Sequence, residues 1–252
     1  MQDKQTTINS KAWNTKAYEA WTIQFGHPEA QAEKLKLNGK HKLRRWIKYI
    51  GDPNGMRIIN LLGSAGSKAI PLALLGADVT IVDISKENQK YASEVARYAN
   101  VKLNYILSDV LNIPAENNLR NYDLVLMEFG VLHYFSNLEP IFELVNNLLR
   151  NNGRLILTDF HPFTSKSSNY FDSNLVEEKI AFSDILSEED RKDLPKVLLR
   201  KWTMGEILST LAEKNMILRK LEEEPHHINS GVPAFYTIVA DKINEHQSPL
   251  IP

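Results

Sequence analysis

The stretch 57–83, RIINLLGSAGSKAIPLALLGADVTIVD, leaves few folds open to this chain. Residues 57–62 form a short apolar run rich in branched side chains, the pattern of a parallel strand buried on both faces. Gly63-Ser64-Ala65-Gly66 is a turn of small residues, where a ligand can approach the backbone closely. Residues 67–75 read as a helix stopped by Gly76. Residues 79–82 are a second buried strand, and it runs into Asp83. A βαβ unit with a carboxylate at the end of its second strand has the geometry that holds a nucleoside: small residues at its polar tail, an acid on the ribose hydroxyls.

The alternation continues downstream. Ser85 is placed to cap a helix over 86–99. Residues 101–107 and 122–127 read as strands and 138–149 as an amphipathic helix. Asn151-Asn152-Gly153 is a turn before a fifth strand at 154–158. Four strands therefore end on acids: Asp83, Asp109, Glu128 and Asp159. Ligands of open α/β sheets bind outside the carboxyl ends of the strands, so these acids converge on one crevice. A single acid at a strand end is as often a local cap; four in strand order are not explained that way.

Composition removes several classes of function. The chain has no cysteine, which excludes disulfides, thiolate catalysis and Cys-based zinc or iron–sulfur sites, and fits a cytoplasmic protein. A net charge of −1 gives no global footprint for nucleic acid. The polar N-terminus lacks an apolar leader core, and no apolar run approaches the roughly 18 residues of a membrane span.

Outside the core, residues 1–8 read as a frayed tail. Ser10 can cap a helix over 11–25 whose stripe is Trp13, Ala17, Ala20 and Trp21, with Tyr18 at its edge. It either docks on the sheet or closes over a ligand. Pro28 starts another helix, and 40–50 forms a third, basic one. A solvated face is the default reading of such a stretch, with RNA contact the lesser alternative. Residues 161–201 interrupt the alternation and read as a lid or substrate insertion. Then come a helix capped by Thr203, strands at 216–221 and 234–240, and a loop between them carrying His226 and His227. The expected division is a helical cap (1–50), a nucleoside-binding core (51–160), an inserted lid (161–201), the end of the core (202–243) and a disordered tail (244–252).

Residues 57–162 resemble the core of the class I S-adenosylmethionine-dependent methyltransferases of the small-molecule, ubiquinone-methylase-like kind. The matching pieces are INLLGSAG, TIVDIS, LSDVLNIP, YDLVLMEFGVLHYF and LLRNNGRLILTDF. The resemblance implies an α/β, Rossmann-like, seven-stranded and mostly parallel sheet with helices on both faces, in the order 3-2-1-4-5-7-6, with S-adenosylmethionine as cofactor. It places Asn60, Gly63, Ser64 and Gly66 by the methionine part and Asp83 on the ribose. Ile84 falls beside the adenine, Asp109 and Val110 at the adenine, and Glu128 with Phe129 near the amino group. Against the family's acid-and-glycine pattern, Asn60 replaces the acid, Leu62 and Ser64 fill two glycine positions, and only Gly66 stays.

Methyl transfer to an amine or hydroxyl can need a proton acceptor; the candidates are His133, Asp159 and His161. Tyr18 is a candidate contact to the cofactor, and Trp13, Trp21, His226 and His227 to the acceptor. The histidines lie in separate loops, so no metal site is expected. The leading reading is methyl transfer to N or O of a small-molecule acceptor. The alternatives are a non-catalytic S-adenosylmethionine-binding module and a nicotinamide-dependent oxidoreductase, although GSAGS is not the dinucleotide fingerprint.

Overall fold

The computed structural model describes residues 1–164, 169–228 and 231–243. The expected tail, 244–252, lies outside them. The helices are α1 (Gln2–Trp13), α2 (Ala17–Phe25), α3 (Pro28–Lys42), α4 (Ile47–Ile50), α5 (Ala69–Leu74), α6 (Lys86–Ala99), α7 (Glu139–Leu148), α8 (Glu188–Lys192) and α9 (Met204–Glu213). The strands are β1 (Arg57–Leu61), β2 (Asp78–Asp83), β3 (Asn104–Leu107), β4 (Tyr122–Glu128), β5 (Leu149–Phe160), β6 (Leu175–Glu178), β7 (Val197–Arg200), β8 (Met216–Pro225) and β9 (Pro233–Lys242).

Seven strands form one sheet in the order β3-β2-β1-β4-β5-β9-β8. The first five pair in parallel, and β9 runs antiparallel between β5 and β8. This is the order implied by the resemblance. The chain winds outward from β1 through β2 to β3, then returns to β4 on the other side of β1. That reversal opens a crevice at the carboxyl ends of β1 and β4.

The sheet holds because its central strands are apolar on both faces. One face packs against α7 and α9 through Ile141, Phe142, Val145, Leu148, Ile207 and Leu211. Each such side chain contributes about 1.5–3 kcal/mol on burial. Leu43, Trp46, Ala69 and Leu72 cover the other face, and a second apolar cluster joins α2 and α3 to Tyr91 and Val95 of α6. Ser85 caps α6 as expected, its Oγ accepting Asn88 N–H, and Thr203 and Glu206 form a reciprocal capping box on α9.

Local structure differs from expectation at four places. The segment 1–8, expected to fray, is helical: Gln5 and Asn9 are buried and bonded to remote backbone. Gln5 Nε2 donates to the carbonyls of His133 and Leu198, and Asn9 bonds both N–H and C=O of Leu198. The helix expected over 11–25 breaks at Asn14–Lys16, where Asn14 Oδ1 accepts Lys86 N–H and Lys16 sits at φ 61°. The third helix, expected over 40–50, is instead the end of α3 and the single turn α4, and its charges are partly paired, Arg45 with Glu224 and Lys48 with Glu222 on β8. The expected turn at 151–153 is absorbed into β5 at a register shift against β4. The insertion contains β6 and β7 as a separate antiparallel pair. Gln5→Ala removes the clamp between α1, β7 and the 133 carbonyl. The expected loss is about 1–3 kcal/mol, the cost of stranding buried polar groups, read from the urea midpoint; an unchanged midpoint would show that α1 is held by something else.

Candidate active site

The crevice is a cavity of ≈ 330 Å³ at the carboxyl ends of β1, β2 and β4, with Asp83, Asp109 and Glu128 in its wall. Its floor is the β1–α5 turn. Leu62 and Ser64 occupy the left-handed region at φ 51° and φ 49°. The glycine-like backbone path is thus kept with side chains attached, at a cost of about 1–2 kcal/mol per residue. Asn60 lies behind the turn, its Nδ2 donating to Leu126 O. A Cβ on Gly63 would stand 2.8 Å from Asn60 Oδ1 and 3.0 Å from Ile81. Gly63→Ala is therefore expected to cost about 1–3 kcal/mol of stability by overpacking and to push the turn into the cavity; equal urea midpoints for variant and parent would refute the fit.

Asp83 ties the turn to the next helix. Its Oδ2 accepts Ser64 N–H at 3.0 Å, and its Oδ1 accepts Ser85 N–H at 2.9 Å and Asn88 Nδ2–H at 3.2 Å. Burial pushes its carboxyl up, and those three donors pull it down. Asp109 accepts from Leu111 N–H and Asn112 Nδ2–H. Glu128 is nearly buried, with Lys68 Nζ 3.5 Å from its Oε2. That oxygen has no hydrogen bond among the described residues. Burial raises the Glu128 carboxyl and Lys68 opposes the shift.

A second cavity of ≈ 310 Å³ adjoins the first and shares His133 and Phe160 with it. The His133 Nε2 is shielded from solvent and makes no hydrogen bond. Burial lowers the His133 pKa, partly offset by the nearby Asp159. Asp159 itself is fully engaged, accepting the N–H groups of Gly130, Val131, Leu132 and Phe160. It shapes the 130–132 turn, and its lone pairs are not free to take a substrate proton. His161 lines the second cavity, but its Nδ1 accepts Phe163 N–H and its Nε2 lies 2.8 Å from Glu223 Oε1. Among the described residues, Asp159 and His161 are engaged in this way, whereas His133 Nε2 has no partner.

The other expected residues divide. Gly63, Ser64, Asp83, Ile84, Asp109, Val110, Glu128, Phe129, Trp13 and Trp21 line the first cavity. Gly66 lies outside the lining, against Ala92 and Ile70. Tyr18 turns away, bonded to Glu94 at 2.5 Å and set edge-on to Tyr91. His226 and His227 stack on each other at 4.6 Å and line neither cavity. The lining also contains residues that the sequence did not single out: Lys68, Ser108, and Gln2, Thr6 and Asn9 of α1. Lys68 stands two residues after the small-residue turn, and a lysine at that position was the available signal. Among the described residues no group of three or more His, Asp or Glu could hold a metal ion, and no helix is long and apolar enough to cross a membrane.

The cavity suits S-adenosylmethionine: small residues make its floor, carboxylates stand at or just beyond the ends of β2, β3 and β4, and Glu128 Oε2, without a hydrogen bond among the described residues, offers a place for an ammonium. Residues 62–157 match the family model described as a methyltransferase domain. The chain is 22% identical over 205 residues to a Bacillus subtilis protein named uncharacterized methyltransferase YbaJ, across 77% of this chain and 76% of that one. It is 30% identical over 104 residues to ubiquinone biosynthesis O-methyltransferase of Rickettsia akari, across 41% and 40% of the two chains. Its fold is similar to that of magnesium protoporphyrin IX methyltransferase from Synechocystis PCC 6803 with bound SAM, at TM-score 0.61 and 15% identity, covering 94% of this chain and 97% of that one. Residues 62–157, from the end of β1 into β5, therefore form a methyltransferase domain, and the sheet around it has the fold of the S-adenosylmethionine-dependent methyltransferases that the chain resembles.

Proposed function

We propose that the enzyme methylates an O or N atom of a small-molecule acceptor by in-line displacement. The observation that carries this reading is that His133 lines both the acid-lined cavity and the second cavity. S-adenosylmethionine, when bound, supplies an electrophilic methyl on a sulfonium with a neutral thioether as leaving group. The chain's own part is to hold, align and exclude water. Asp83 would hold the ribose hydroxyls, Asp109 with Ile84 and Val110 the adenine, and Glu128 the ammonium. Lys68, beside Glu128, would pair with the carboxylate of the same amino-acid group. Trp13 and Trp21 would roof the site with α1. His133, whose pKa burial lowers, would take the acceptor's proton on its imidazole.

Transfer of tritium from methyl-labelled S-adenosylmethionine to a panel of small phenols and amines tests this, with total RNA and denatured protein as parallel acceptors. Label in the small-molecule fraction supports the reading. Label confined to RNA or protein would overturn it.

A further inference from the structure

Resting on the assignment of Asp83 to the ribose, we propose that Trp21 and Asn88 are positioning residues for the Asp83 carboxylate, so that ribose recognition depends on the docking of α2. Trp21 Nε1 donates to Asn88 Oδ1 at 2.7 Å, and Asn88 Nδ2 donates to Asp83 Oδ1 at 3.2 Å. Trp21, Asn88 and Asp83 are all buried, so water is poorly placed to replace any of the three.

The chemistry of the two ends fixes the amide between them. An indole N–H only donates, and an ionised carboxylate only accepts. One orientation of the Asn88 amide satisfies both. The flipped one sets its oxygen against the carboxylate and its NH2 against the indole N–H. Two of the donors on Asp83, Ser64 N–H and Ser85 N–H, are backbone groups held by the β1–α5 turn and by the cap of α6. Asn88 Nδ2 is a side-chain donor, and its direction is set from Trp21, 67 positions away in the chain. A second tie reaches the same cap: Asn88 N–H donates to Ser85 Oγ, which donates to Trp13 O at 2.6 Å. Trp21 is held by packing as well, stacked on Phe25 at 5.6 Å and edge-on to Phe182 at 5.7 Å. Phenylalanine keeps most of that packing and removes the N–H. Trp21 also lines the first cavity. A direct contact there would act on any adenosyl analogue alike, whereas a role through Asp83 acts only on binding that uses the ribose hydroxyls.

Calorimetry on the full chain, with S-adenosylhomocysteine and its 2′-deoxyribose analogue titrated separately, tests the relay. The parent should prefer the ribonucleoside by about tenfold, the scale of one charge-assisted hydrogen bond. Trp21→Phe and Asn88→Ala should each cut that preference by at least about threefold, and the double variant should cut it no further than Asn88→Ala alone, because the two residues act in one chain of bonds. Urea midpoints establish which variants are folded, and Trp21→Phe decides if Asn88→Ala is not. A folded Trp21→Phe protein that keeps the parent's preference, equal weakening of both nucleosides, or additive losses in the double variant would each overturn the relay while leaving Asp83 on the ribose. A parent without the preference, or one whose preference survives Asp83→Ala, would instead defeat the ribose assignment, and the relay with it.

Discussion

Asp83→Ala is expected to reduce the affinity for S-adenosylhomocysteine by at least about a hundredfold. A carboxylate on two ribose hydroxyls makes charge-assisted bonds worth about 1.5–3 kcal/mol each, and each 1.4 kcal/mol is about a factor of ten. The same carboxylate also accepts from Ser64 N–H, Ser85 N–H and Asn88 Nδ2. Its removal therefore strands buried donors on both sides of the cavity and lowers stability too, by about 1–3 kcal/mol for each group left unsatisfied. Asp83→Asn separates the two effects. The amide keeps the shape and one acceptor oxygen, so more of the fold's stability survives while the charge-assisted bonds to the ribose are lost. Calorimetry gives the affinity, and urea denaturation of the unliganded protein gives the stability. Unchanged affinity in a folded Asp83→Ala variant would show that the nucleoside lies elsewhere.

His133→Ala is expected to lower kcat by about 10²–10⁴-fold, the usual contribution of a positioned proton acceptor. Binding of S-adenosylhomocysteine should change only a few-fold, because no donor contact is assigned to the imidazole. The pH dependence carries the sign of the burial effect. A histidine held neutral by burial stays a competent base below the ordinary histidine range, so the acid limb of the parent's profile should lie below that range. Stability follows the same linkage. As pH falls through the ordinary histidine range, the unfolded chain takes up a proton that the folded chain refuses. The contribution of His133 to stability is therefore greatest above that range and is lost as pH falls, until the folded-state pKa is reached. A His133→Ala enzyme with near-parental kcat, or a parent profile whose acid limb lies at or above the ordinary histidine value, would remove His133 from the reaction.

The two assignments differ in how visible they were in the chain. Asp83 stands at the end of an apolar strand after a small-residue turn and a helix, and the contacts that matter to it are local: Ser64, Ser85 and Asn88 all lie within 20 positions. His133 was visible only as one histidine among several. Its distinction from Asp159 and His161 comes from hydrogen bonds made across the fold. Four backbone N–H groups from 130–132 and 160 take Asp159, and Phe163 and Glu223 take His161.

The N-terminus shows the same division. Its polar sequence has no apolar stripe over residues 1–8, so nothing local predicts order there. Gln5 and Asn9 become structural because the carbonyls of His133 and Leu198, more than 120 positions away, need donors. The aromatic stripe at 13–21 left docking and closure over a ligand both open, and the split into α1 and α2 depends on Asn14 bonding to Lys86. Tyr18 shares that stripe and was expected at the cofactor, but the break turns it to Glu94 and away from the cavity.

The family resemblance supplied the class of nucleoside; by itself, the sequence determined the parallel sheet and the order of acids along it. Those follow from hydrophobic periodicity and from residues spaced within one βαβ unit, where chain connectivity leaves little freedom. Only the tertiary structure decided which of three proton acceptors keeps a nitrogen without a partner among the described residues, and that α1 lines the first cavity. These depend on which donors, acceptors and charges meet across long separations in the chain, and a hydrogen-bonding side chain carries no local mark of the partner that will occupy it.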